Sequence, residues 1–165
     1  MGRRYVLSGN ALTLGAGNVL AAIQPAAANA AGSWLEIERV EASQNGTTTS
    51  GQCNLYLAKR NTAGTLTIVS ATPSPLVQGG PASGIAGGTN GLTAATCGLN
   101  ASTDSGGAYV YGPYFNFNNL GGFLWQPIPD HKIIVPAGVI FVVGFVAAPT
   151  GTTGWSVNVY YHEVY

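Results

Sequence analysis

The feature that most constrains this chain is a two-residue alternation of apolar and polar side chains, cut at short intervals by Gly and Pro. Over residues 155–164, Trp155, Val157, Val159 and Tyr161 alternate with Ser156, Asn158, Tyr160 and His162. Successive side chains of a strand point to opposite faces, so this is the pattern of a strand with one face in a core. Residues 34–42 repeat it, with Leu35 and Ile37 inward and Glu36 and Glu38 outward. The phase slips near Arg39, as the extra residue of a β-bulge would make it do. In residues 52–59, Cys53, Leu55 and Leu57 share a face, and 65–69 follows as the expected hairpin partner across Asn61-Thr62-Ala63-Gly64. Residues 139–146 are apolar on both faces, which predicts a strand buried on both. Shorter strands are expected at 108–111, 122–126 and 132–135. Helix has no room: the Ala run at 26–31 is one turn at most between Pro25 and Gly32. A chain of 165 residues supports one domain. The expectation is an all-β fold, an antiparallel β-sandwich or barrel of eight or nine strands, jelly-roll-like.

Residues 1–33 read as a separate region. Short strands are expected at 4–7 and 11–14, split by Ser8-Gly9-Asn10, and at 19–24, followed by a Pro/Ala/Gly linker. The basic start and Ala28-Asn29-Ala30 have the outline of a secretory leader. The longest apolar run, Val19-Leu20-Ala21-Ala22-Ile23, is too short for its hydrophobic segment. The region is therefore read as a retained, extended N-terminal arm and linker, able to reach about 110 Å at about 3.3 Å per residue. Its contact residues would be Arg3, Arg4, Tyr5, Leu7, Leu12, Leu14, Leu20 and Ile23. Residues 34–165 are then a single β-sandwich domain with a long loop-rich insertion at 71–107, holding one short strand near 92–96.

Charged residues make up 7% of the chain, with six basic and six acidic side chains, against about 25% in ordinary domains. No basic stripe is available to replace counterions on nucleic acid. No window reaches 18 consecutive apolar residues, so no helical membrane span is expected. A surface of Thr, Ser, Asn, Gly and Ala suits packing against protein, because few charges need desolvating on contact. Titratable groups are scarce. Glu36, Glu38 and Glu41 with Arg39 read as a solvated strand face, with an acid/base or metal cluster as the sharper alternative. Asp130-His131 reads as a turn, and His162 and Glu163 point to opposite faces of one strand. No cofactor or metal motif is found and no catalytic residue is assigned. Cys53 and Cys97 read as two buried thiols, with a disulfide as the alternative. The aromatics Tyr109, Tyr111, Tyr114, Phe115, Phe117 and Trp125 read as core and strand-edge packing, as a protein interface, or as a sugar platform.

The arm, the segment Leu35-Glu36-Ile37-Glu38-Arg39-Val40, the Thr/Gly hairpins, the corner Ile134-Val135-Pro136-Ala137-Gly138 and the Tyr-rich last strand with Glu163 resemble, in layout, small β-rich virion proteins of tailed bacteriophages. Within that group the chain is most similar to capsid decoration, or cement, proteins. The resemblance implies a non-enzymatic structural protein on the outer capsid surface of the virion, in many cases a homotrimer. Its partners would be the major capsid protein and copies of itself, with no nucleic acid and no membrane. The alternatives are a head-fibre or receptor-binding jelly roll that recognises host glycan, and a secreted trimeric lectin.

Overall fold

The computed structural model describes residues 3–25, 34–60, 65–80, 83, 97–105 and 109–164. Twelve strands run in chain order: β1 Arg3–Leu12, β2 Val19–Ile23, β3 Trp34–Gln44, β4 Gln52–Arg60, β5 Thr65–Ser70, β6 Ser74–Pro75, β7 Cys97–Ser105, β8 Tyr109–Asn118, β9 Phe123–Trp125, β10 Ile133–Pro136, β11 Ile140–Phe145 and β12 Trp155–Val164. Among the described residues the one helical piece is a 3-10 turn, Pro129–His131, which carries Asp130 and His131.

Two antiparallel sheets pack as a sandwich. One runs β10-β3-β12-β1-β6, with β9 also on β3; the other runs β5-β7-β2-β11-β4-β8. Four nested antiparallel pairs organise them: β1 with β12, β2 with β11, β3 with β10, and β4 with β8. Rolling that long hairpin sets β12 beside β3 and β11 beside β4. The result is the strand order of a jelly roll. The segment between β4 and β8 adds to the far edges: β7 and β5 extend one sheet beyond β2, and β6 extends the other beyond β1.

Inward side chains of both sheets make the main core. Trp155 is fully buried against Phe145 (centroids 4.8 Å apart) and edge-on to Phe117 (6.4 Å). The bulge expected near Arg39 is present: the β3–β12 register shifts there, and Glu38 and Arg39 are both half-buried. All of β11 is buried. Its outward residues Ile140 and Val142 join Val19, Tyr56, Leu66 and Ala101 in a second apolar cluster on the opposite face of that sheet. The fully buried Arg60 side chain meets Asp104 of β7 at 3.0 Å, an ion pair that ties the inserted strand to β4. Cys53 and Cys97 are buried free thiols, and burial pushes Cys97 up to about 12.

Three expectations are corrected. Residues 3–23 are not an extended arm. Arg3–Leu12 is one bulged strand between β12 and β6, and Val19–Ile23 is a fully buried strand between β11 and β7. The Gly/Asn/Ala composition that suggested an arm serves packing and turns: Ala21 and Ala22 are fully buried, one on each face of β2, and Asn18 and Ala11 take left-handed φ of 54° and 53° at turn and bulge. Second, β5 pairs with β7 and not with β4, because both edges of β4 are taken by β11 and β8. Third, the 71–107 segment contributes β6 and β7 to the sheets and is not simply a surface excursion. The short strand expected near 92–96 and the linker at 26–33 lie outside the described residues.

Deleting residues 2–24 removes two interior strands. That variant is expected to lose the cooperative thermal transition in circular dichroism, whereas a detachable arm would leave it intact. At Ala11 a left-handed backbone costs a Cβ-bearing residue about 1 kcal/mol, and Ala11 is exposed. Ala11→Gly is therefore expected to raise unfolding free energy by roughly 0.5–1 kcal/mol in urea titration. An equal or lower midpoint would show the bulge to be unstrained.

Candidate interaction surfaces

Two surfaces stand out, and they adjoin along β9 and β10, where Leu124 and Ile134 are the register partners of Glu41 and Glu36. The first is the outer face of the β3–β12 sheet. Alternation turns Glu36 and Glu41 outward on β3, and Asn158, Tyr160 and His162 outward on β12; the β3 bulge also brings Glu38 and Arg39 to this side. Half of the chain's charged side chains, Arg4, Glu36, Glu38, Arg39, Glu41 and Lys132, meet here. The Lys132 ammonium donates to Glu36 and Glu38, each at 3.0 Å. Arg4 Nε donates to Glu38 at 2.9 Å, Arg39 pairs with Glu41, and the Arg39 guanidinium lies 5.2 Å from the Tyr160 ring centroid. Asn158 also donates to Glu41, at 3.1 Å. Lys132 holds Glu36 below its ordinary 4.5, against the opposing effect of burial. Burial pushes Glu38 upward, but hydrogen bonds from Lys132 and Arg4 outweigh it and leave that carboxyl lowered too. The same two carboxylates raise Lys132 above 10.5.

Glu36, Glu38 and His162 bring ligand atoms within 4.8 Å of one another, a set that a metal ion uses. Here Lys132 already bridges both carboxylates, so the positive charge is supplied by the chain itself. The geometry is that of a charge-balanced sheet face, in line with the solvated-face reading of Glu36, Glu38 and Glu41.

The second surface is the sandwich edge formed by β8, β9 and β10. In the described structure β8 pairs only with β4, and β9 and β10 only with β3. Phe123 of β9 packs on Phe115 and Phe117 of β8 (centroids 4.9 and 5.4 Å), joining the two sheet margins. Outside this aromatic seam, Val110, Tyr114, Leu120, Leu124, Ile128 and Ile134 are exposed. No charged residue occurs between Asp104 and Asp130. The loop after β8 is held in shape by buried Asn119: its Nδ2 donates to Gln44 Oε1 (2.7 Å) and Thr49 O (3.0 Å), and its Oδ1 accepts from Gly51 N (2.8 Å). Pro113 and the register shift beside it interrupt β8 as a template for strand addition.

The contact residues expected from sequence fall into distinct places. Tyr5, Leu7, Leu14, Leu20 and Ile23 are core, and Leu12 packs partly buried against it. None of these six is available as an arm contact. Arg3 and Arg4 are exposed. Phe115, Phe117 and Trp125 are half-buried against the core, which favours the packing reading for them, and Tyr114 is half exposed. Tyr109 and Tyr111 lie in β8, but their side chains are outside the described ones. Sequence reading missed the exposed aliphatics. Leu124 between Phe123 and Trp125 carries the one available signal, since alternation turns it away from its core-facing neighbours.

The pH dependence of the charged face follows from the shifts. A carboxylate lowered on folding contributes stability that is present above about pH 4.5 and lost as pH falls through its folded value. An amine raised on folding contributes stability present below about pH 10.5 and lost as pH rises through its folded value. Lys132→Met is therefore expected to cost about 1 kcal/mol at pH 7, the scale of a partly exposed network. The gap from wild type should close by pH 3 in urea titrations. A gap equally wide at pH 3 would assign the loss to packing instead. Comparison with protein-family models, with curated proteins and with solved structures finds no match for this chain.

Proposed function

We propose that this protein is a non-enzymatic structural subunit that self-associates through the β8–β10 edge, and that it serves as a capsid decoration protein of a tailed phage. The observation that carries the reading is the run of exposed apolar side chains Val110, Tyr114, Leu120, Leu124, Ile128 and Ile134 along an edge whose residues 105–129 carry no charge. A contact poor in charge loses little on desolvation, and its best-matched partner is a surface equally poor in charge. Another copy of the chain supplies one, and cyclic symmetry closes such contacts into a ring. Side chains must make this contact, because Pro113 and the adjacent bulge blunt β8 against strand pairing. β11 takes no part in it, since all of its residues are buried within the protomer. The virion role rests on the sequence resemblance together with a rigid jelly roll of low charge, a body suited to bridging shell subunits.

The glycan-binding alternative is weakened: of its aromatics, Phe115, Phe117 and Trp125 pack against the core, and Tyr114 is the exposed one among those whose side chains are described. A secreted lectin held by a Cys53–Cys97 bond finds both thiols free.

Sedimentation at about 50 µM, a concentration that saturates ordinary interfaces, is expected to show a trimer. Leu124→Asp with Ile128→Asp should reduce it to monomer with unchanged circular dichroism. A monomeric wild type sinks the self-association. Particles made from the genome that encodes this chain should carry it on the shell exterior in electron-microscopic reconstruction. Its absence from those particles sinks the virion role.

A further inference from the structure

At the opposite edge of the sandwich a half-enclosed cavity of about 590 Å³ opens between the start of β1 and the turn after β6, lined by Arg3, Arg4, Tyr5, Pro75, Leu76, Val77 and Gly80. Its walls are fixed by backbone. The Leu76 N–H donates to Arg4 O (3.1 Å), Tyr5 and Val6 pair with Pro75 and Ser74, and Gly80 N–H closes a turn on Val77 O (2.9 Å) with Gly79 at φ 75°. The lining is apolar, and Leu76 and Val77 stand 46% and 72% exposed on the lip. The two arginines have different surroundings. Arg4 turns to the outer sheet face and is engaged by Glu38. Arg3 lies in phase with Tyr5, beside the cavity, and makes no ion pair among the described residues. Glu163, its register partner on β12, is 1% exposed and accepts from the Ser83 hydroxyl.

We infer that this cavity binds a small apolar molecule carrying one carboxylate, its hydrocarbon body against Tyr5, Pro75, Leu76 and Val77 and its carboxylate on Arg3. The volume is that of a small-ligand site, which is mostly apolar with few polar groups to orient its occupant. The guanidinium is suited to bidentate capture of a carboxylate. A polypeptide strand is the weaker candidate: the β1 backbone beside the cavity already bonds β6 and Leu76, leaving no main-chain ladder for a peptide to join.

The test is calorimetric titration of the full chain with decanoate at neutral pH and low salt, below its micelle concentration. One saturable site per chain is expected. Arg3→Gln should weaken binding about tenfold or more, with the melting temperature within about 2 °C of wild type because Arg3 is exposed. Arg3→Lys should fall between the two, and decanol should bind no better to wild type than decanoate does to Arg3→Gln. Val77→Asp, on the exposed lip, should also weaken decanoate. Non-saturable uptake overturns the inference, as does equal decanoate affinity in wild type and Arg3→Gln. A short peptide with a C-terminal Leu that binds more tightly than decanoate overturns the small-molecule assignment. The titration needs no particle, so its result is independent of the edge and virion readings.

Discussion

The structure depends on the pairing of its first strand with its last. β12 lies between β1 and β3, so Trp155–Val164 has both backbone edges satisfied and one face in the core. That arrangement nests β2 with β11, β3 with β10 and β4 with β8 inside it. These pairings join residues distant in sequence, and loop-closure entropy must be met before the contacts form. The compensation is dense packing: Tyr5 stacks on Tyr161 at 5.8 Å, and Trp155 fills the space between Phe145 and Phe117. Burial at that closure also holds the Tyr161 phenol protonated far above its ordinary range.

The same topology sorts the few charges. One sheet has apolar clusters on both faces of its central strands, and its few charges are Lys59 and the Arg60–Asp104 pair. The other sheet turns one face to solvent, and the charges gather there around Lys132 and the glutamates of β3. The β8–β10 edge is consequently rich in aliphatic, aromatic and amide side chains, with Asp130 and Lys132 confined to the connection from β9 to β10. Low overall charge is thus not spread evenly. It comprises one neutralised, well-bonded face and one edge with few charges, and the second is the better contact surface because little on it needs desolvating.

The facing of the strongly alternating strands was legible in the sequence; β6, β7 and the strand partnerships were not. Alternation identified the inward residues of β3, β4 and β12, the slip at Arg39 and the double burial of β11, because side-chain parity is a local property. Pairing is not local. Residues 52–60 and 65–70 look like a hairpin, yet β4 is already flanked by β11 and β8. The first 23 residues looked like an arm because Ser8-Gly9-Asn10 read as a break between two short strands. In the fold Ala11 is the bulge that keeps β1 in register with β12, and Ala21 and Ala22 are small because β2 is covered on both faces. The exposed aliphatics of the β8–β10 edge were hidden for the converse reason: Leu120, Leu124 and Ile128 look like any core residue until the sheets show which margin they occupy.

Arg3-Arg4 shows how parity creates two functions from one dipeptide. In sequence the pair reads as two adjacent contact residues. In a strand adjacent side chains diverge, so Arg4 joins the ion network on the sheet face and Arg3 falls beside the cavity. Along the sheet order β10-β3-β12-β1-β6, that cavity and the β8–β10 edge occupy opposite margins. An oligomer closed through the second margin leaves the first open. The two surfaces therefore do not compete for space, and a ligand at Arg3 can be held by an assembled subunit as well as by a single chain.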